Sequence, residues 1–429
     1  MSLDTQKKRK AESEERSKEA SLSSLAVSLV ESTRSAFTYH AQHFECFRNP
    51  YSEFNPSGGI SLTMAENKLC GDLILKKLRA FTAFSQQSIC YTDTTGDVAL
   101  KSSLSKFMSE RLFAGHAVDP RHLVVSAGCT ALLYQLSLTL FNPSDAILIP
   151  TPFYPVFYKD FSAIGKVYIQ DVHGDANRDF AFTVSSLEKA YDEAMNLGHP
   201  PKALLLTNPH NPMGTIYSEE VLLAYIAWCR SKGMHVIFDE IYALSTFGGT
   251  FVSVVELMAN DLGRDIHVIW GMSKDFGASG LRLGVLYSQN AELLSAHQIL
   301  ADPFQVSMLT QQMTRSILDD DSFIDEFLSL NRERLSKSYK LVKETFDAEG
   351  MRVIPAVSSI FVFVDMRCLL STPSFEDEKH LFLHLASRYN PNRYSCLFIF
   401  ISVVEVWCSP LECAVTVLSL ASSASAMPG

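Results

Sequence analysis

Between about residue 62 and residue 285 the chain repeats one pattern. A short, almost unbroken apolar run is followed by small or turn-forming residues, and then often by apolar positions at helical spacing. The runs are HLVVSAG, AILIPTP, KALLLTNP, HVIFDEI, HVIWGMS and RLGVLYS. Stretches such as TALLYQLSLTLF and SEEVLLAYIAWCRSKG lie between several of them. Strands that are apolar on both faces and alternate with helices predict an α/β fold, with a large, mainly parallel central sheet sandwiched by helices. Before it, LAVSLVESTRSAFTYHAQ has the pattern of a helix. After it, SFIDEFLSLNRERLSKSYKLVKETFDAEG reads as one long structural helix joining two lobes. Trp228, His235 and Phe238 read as core.

Ligands of such sheets sit beyond the carboxyl ends of the strands, so the residues following each run carry the candidate chemistry. After LVVS, the segment Ala127–Ala131 (AGCTA) opens a helix. Gly128, Cys129 and Thr130 would expose backbone N–H groups at the positive end of its dipole, which suits a phosphate, although small residues also begin many helices that bind nothing. TPFYPVF offers Tyr154 as a flat stacking face or as ordinary packing. NPHNPMG turns Asn211 into the cleft, or is simply a tight turn. DEIY puts Asp239 at a strand end, where a buried carboxylate must be paired or solvated, with Tyr242 just beyond. Glu240 beside it points to the opposite face, so the pair is not a metal site. GMSKDFGASGLRLG then presents Lys274 and Arg282 in a glycine-rich loop. A phosphate cradle, an aromatic plane, an amide, a buried acid and an amine together describe a pocket for pyridoxal 5'-phosphate. Lys274 would hold the aldehyde, Asp239 would face the pyridine nitrogen, and Arg282 would anchor the phosphate with its fork of donors.

Composition narrows the class. The 429 residues carry a formal net charge of -10, which argues against a basic nucleic-acid footprint. Nine cysteines, scattered and without a CxxC pair, fit free thiols in a reducing, cytoplasmic compartment, not a disulfide or zinc framework. There is no signal-peptide pattern. Residues 1–23 are charged and poor in large apolar groups, and read as a flexible arm. Its KKRK run is either solvated tail or an import signal. The apolar stretch near the carboxyl end is interrupted by Glu405, Pro410 and Glu412, so it is no membrane span.

The segment GMSKDFGASGLRLG resembles the lysine signature of class I aminotransferases, and NPHNPMGTIYS and VIFDEIY stand at that family's distances before it. NPSGGISLTMAENKLCGDLI and SKDFGASGLRLG look most like the 1-aminocyclopropane-1-carboxylate synthase-like branch, in its fungal form. The resemblance runs from about Asn55 to about Asn390. It implies fold type I, with a large cofactor-binding domain over 61–310. A smaller α+β lobe would be built from 24–60 and 311–390, followed by a divergent end over 391–429. It also implies a homodimer with sites at the interface, acting on amino acids and 2-oxo acids. Lys274 would be the base at Cα, and Asp239 would keep the pyridine nitrogen protonated. Asn211 and Tyr242 would bond the phenolic oxygen, and Tyr154 would stack on the ring. Gly128, Cys129, Thr130, Ser273 and Arg282 would hold the phosphate, and Glu66 would stand near the substrate. The implied activity is transamination, as in enzymes of secondary metabolism. The alternatives are elimination, by a synthase-like route or by C–S cleavage of a cysteine conjugate, and a cofactor-binding protein without activity.

Three departures qualify the match. Gly271 stands where the family often has a phosphate-binding serine. DTTG, Asp93–Gly96, replaces the branch's DYHG, so Thr94 takes the place of a tyrosine that reaches the neighbouring subunit's cofactor. No GWFR motif supplies an arginine for the substrate carboxylate. Arg393 is the one arginine beyond residue 390, and the ending reads as divergent or misread, as from a retained intron.

Overall fold

The computed structural model describes residues 22–36, 48–50, 52, 54, 55, 58, 65–175, 178–372, 374, 376–381, 402, 403 and 415–419. The chain divides into one unit over Met1–Glu45 and another over Cys46–Gly429. In the first, the helix expected from LAVSLVESTRSAFTYHAQ runs over Ser24–Ala36. Most of the expected charged arm, and Arg393 with most of the divergent ending, lie outside the described residues.

The second unit is built on a seven-stranded sheet. Its strands are β1 (Leu123–Ser126), β2 (Ala146–Pro150), β3 (Tyr168–Val172), β4 (Pro201–Thr207), β5 (His235–Asp239), β6 (Ile266–Gly271) and β7 (Gly284–Ser288), in spatial order β1-β7-β6-β5-β4-β2-β3. All six apolar runs form strands. The pairs β2–β3, β2–β4, β4–β5 and β5–β6 are parallel, whereas β7 runs antiparallel to both β6 and β1. Between Gly271 and Gly284 there is only a one-turn helix and a short 3-10 turn, too little chain for a parallel crossover, so β7 returns beside β6.

Successive strand residues feed opposite cores. Leu204, Leu206, Val236, Phe238, Val268 and Trp270 pack into one apolar layer. Ala203, Leu205, Ile237 and Ile269 pack into the other. The sequence reading omitted β3, whose YIQDV carries Gln170 and Asp171 at the edge of the sheet, where polar side chains find solvent or edge partners. Trp228 and Phe238 are buried as expected, and His235 is half-buried, its Nδ1 3.1 Å from Nε2 of His267.

The long helix runs over Asp321–Ala348. A second sheet follows in the order β10-β11-β9-β8, formed by β8 (Arg352–Val353), β9 (Phe361–Asp365), β10 (Ser402–Val403) and β11 (Val415–Ser419), all antiparallel. Among the described residues no helix is long and apolar enough to cross a membrane.

Candidate active site

Residues from separate strand ends meet at one edge of the large sheet. Asp239 closes β5 and Lys274 follows β6, while Gly128 follows β1 and Arg282 precedes β7. Asp239 is buried, and among the described residues its Oδ1 accepts no hydrogen bond. Burial pushes its pKa up to about 7, against the lowering effect of a backbone bond from Ile241 and the charge of Lys274. Lys274 keeps some exposure to the cleft, but its amine is enclosed and donates to the Ala65 carbonyl at 2.6 Å. Burial lowers the pKa of that amine. Cys129, Glu66 and Asp239 pull it the other way, and the Arg282 charge lowers it further.

Tyr242 is buried, and the Asn211 Nδ2 donates to its hydroxyl at 3.4 Å. Burial raises the phenol's pKa, so the hydroxyl keeps its proton. Its ring meets Phe361 of β9 edge-on, with centroids 5.2 Å apart. Tyr154 is 37% exposed, and its ring stands nearly perpendicular to that of Phe157, with centroids 5.4 Å apart.

The cradle at the start of the helix Cys129–Thr139 is built by close backbone approach. Gly128 caps the helix with φ +91°, a conformation suited to glycine, and leaves the first-turn amides of Cys129 and Thr130 at the open end. The Arg282 guanidinium lies against it, donating to the carbonyls of Ser279 at 3.1 Å and Ala127 at 3.3 Å. Arg282 itself is left-handed, with φ +50°, an unfavourable choice for a side chain that marks this loop as held in place by its surroundings. Ser273 is buried in the lysine turn. Gly271 has a local explanation. A Cβ there would come 2.8 Å from the Leu283 carbonyl oxygen and 3.1 Å from the Cys129 Sγ, so the backbone carbonyl first, and then the thiol, take the room that a serine would need. That thiol donates to the Trp270 carbonyl at 3.4 Å, and burial raises its pKa well above the ordinary value, keeping it neutral.

Glu66 accepts from the Ser279 hydroxyl at 3.2 Å and lies 3.5 Å from the Lys68 amine. Thr94 sits in a turn fixed by Asp93, whose Oδ1 accepts from the Thr95 amide at 2.8 Å and hydroxyl at 2.7 Å. Glu240 points away from the site. Its carboxylate accepts from the Ser253 hydroxyl at 2.7 Å and the Val254 amide at 2.9 Å.

A model of the class I and II aminotransferases matches residues 60–392. The chain belongs to the class I and II aminotransferase family. Among its curated relatives is 1-aminocyclopropane-1-carboxylate synthase 6 of Arabidopsis thaliana, 34% identical over 351 residues, which span 78% of this chain and 70% of that protein. Another is the mouse protein named probable inactive 1-aminocyclopropane-1-carboxylate synthase-like protein 2. It is 33% identical over 381 residues, 85% of this chain and 65% of its own length. A mutant aspartate aminotransferase from Thermus thermophilus, solved with tryptophan, superposes with a TM-score of 0.73 at 17% identity, covering 95% of this chain and 97% of its own. That likeness concerns the fold, which is fold type I.

The cofactor of this aminotransferase-family chain is pyridoxal 5'-phosphate, and its residues fit that group. The buried Asp239 Oδ1 lacks a donor, and the ring nitrogen is one. The glycine-lined helix start and Arg282 offer amides and a guanidinium to the phosphate.

The cradle yields a direct test. A Cβ at Gly284 would lie 2.5 Å from the Gly128 carbonyl carbon and 2.6 Å from the Cys129 nitrogen, both backbone atoms that cannot swing aside. Gly284→Ala is therefore expected to weaken pyridoxal phosphate binding roughly tenfold or more by displacing the cradle. Fluorescence titration of the purified variant measures it; wild-type affinity would show that the helix start does not hold the phosphate.

The sequence reading missed the Ala65 carbonyl and the Ser279 hydroxyl, which are lone partners from distant segments. It also missed Asp275. A charged residue next to Lys274 in a run of small residues was the available signal.

Proposed function

We propose that the chain takes the Cα proton from an amino acid with Lys274 as base, and that the outcome is transamination. The observation that carries this reading is the pairing of two groups in one cleft: an enclosed amine whose pKa is lowered by burial, and a buried carboxylate with one oxygen left without a donor. A lowered pKa keeps more of the Lys274 amine neutral, as a base must be. When bound, pyridoxal phosphate supplies an electron sink for the charge left at Cα. Asp239 would hold the ring nitrogen's proton, while Tyr242 and Asn211 would orient the phenolic oxygen. Tyr154 would cover one ring face, and Gly128, Cys129, Thr130, Ser273 and Arg282 would fix the phosphate. Glu66 would stand near the substrate.

Thr94, in place of the branch's tyrosine, supports transamination over synthase-type ring closure. The names of the curated relatives favour a second reading, elimination, which begins with the same proton removal. We further propose a cytoplasmic homodimer. We also propose the division suggested by the sequence: a cofactor domain over 61–310, a smaller lobe from 24–60 and 311–390, and a distinct ending over 391–429.

The test is the visible spectrum of the purified chain with pyridoxal phosphate, followed by single amino acids and then a 2-oxo acid. A band that an amino acid moves and a 2-oxo acid restores, with a new amino acid formed, is the expected result. Release of a thiol from a cysteine conjugate would favour elimination instead. A band that no amino acid moves would overturn both readings.

A further inference from the structure

Asp275 is fully buried directly after the lysine, and all its bonds run to fixed partners. Its Oδ2 accepts from the Trp270 Nε1 at 2.9 Å and the Leu244 amide at 3.1 Å, and its Oδ1 accepts from the Ser245 hydroxyl at 2.7 Å. Trp270 is the last residue but one of β6, just before the lysine turn. Leu244 and Ser245 belong to the turn that follows Asp239 and Tyr242, where the Ser245 amide bonds the Tyr242 carbonyl at 3.0 Å. One carboxylate therefore clamps the two segments that present Lys274 and Tyr242. The second of these segments is tied in turn to the loop between β8 and β9. The Ser245 carbonyl accepts from the Ser359 amide at 3.0 Å and the Ser358 hydroxyl at 3.2 Å, and the hydroxyls of Thr246 and Ser358 lie 3.0 Å apart.

A buried carboxyl group is an expensive way to hold a turn, since desolvation disfavours its charge. An apolar residue would fill the same space. What it would not do is set the register of three donors from two chain segments at once. We infer that Asp275 is a positioning residue, which sets the Lys274 amine against the Tyr242 hydroxyl through Trp270, Leu244 and Ser245. The inference rests on the proposed role of Lys274. Asp275 is closed off from solvent and bonded to protein groups, and it acts through the two turns it joins.

In Asp275→Leu the side chain keeps nearly its size but accepts nothing, so all three bonds are lost and the Trp270 and Leu244 donors are left unpaired. In Ser245→Ala the carboxylate stays and loses only its Oδ1 bond. Both variants are purified with pyridoxal phosphate, and three quantities are compared with wild type: the visible circular dichroism per unit of bound cofactor, the kcat and KM with the amino acid that turns over, and the melting temperature. For Asp275→Leu the dichroism is expected to fall severalfold and kcat to fall by roughly 10²-fold, the loss expected from a small misplacement of a catalytic group, with KM little changed. Ser245→Ala is expected to move the same quantities in the same direction by less. Folded variants with wild-type dichroism and kcat would overturn the inference. If Asp275→Leu fails to fold, Ser245→Ala decides alone, and its wild-type behaviour overturns the inference. A wild-type chain with no cofactor band would instead count against the proposed function, so the two failures are distinguishable.

Discussion

Replacing Lys274 with alanine is expected to abolish turnover while leaving the chain folded. Among the described residues the amine donates to the Ala65 carbonyl, and its removal leaves that acceptor unpaired at a cost of about 1–3 kcal/mol. The loss to the chemistry is far larger. A positioned base contributes roughly 10²–10⁴-fold, and holding the reactants in one geometry adds further orders of magnitude. Lys274→Arg should be no better, because a guanidinium keeps its proton under all working conditions. Steady-state turnover with the substrate found by the spectral assay, together with a melting curve, measures both parts of the expectation. Turnover within about tenfold of wild type would show that another group takes the proton.

Asp239→Asn should have two effects of opposite sign. With cofactor bound, the loss of the negative charge facing the ring nitrogen is expected to lower kcat by roughly 10²-fold or more. Without cofactor, the same change should stabilise the chain at alkaline pH. The sign follows from the pKa. Burial first of all raises it from 3.8 to about 7, so the folded chain holds this proton more tightly than the unfolded chain does. Ionising Asp239 then costs folding free energy as pH rises from about 4 to about 7, and the whole cost is present above that range. A shift of about three units sets its upper bound at about 4 kcal/mol. Cofactor-free Asp239→Asn should therefore melt higher than wild type at pH 8.5, with the gap closing toward pH 4. An equal gap at both ends of the range would mean that the carboxyl is not strained by its surroundings.

The parts of this site that the sequence made legible are those in which residue type and strand position coincide. Asp239 and Lys274 follow apolar strands, and a charge at such a point has few structural uses. The glycines around Arg282 signal close approach in the same way. What stayed hidden depends on contacts between distant segments. Nothing near Ala65 reveals that its carbonyl receives the lysine amine, and Glu66 meets Ser279 only because the chain folds back. The second sheet was hidden for a related reason. Strand β9 takes one partner from just before it and the other, β11, from Val415–Ser419, and the intervening composition gives no register. The direction of β7 was also open until the short connection from β6 was seen to lack a crossover.

That connection has one more implication. Gly271 and Gly284 face each other as the last registered pair of the β6–β7 ladder, and every residue of both strands is buried. The loop carrying Lys274, Asp275 and Arg282 therefore hangs from a buried end of the central sheet, not from a surface excursion. Segments anchored in this way open only with the cooperative core, whereas most functional loops open long before it. Partial unfolding would thus fray the periphery and the termini first. The lysine turn, held at both ends by the sheet, would open later than they do.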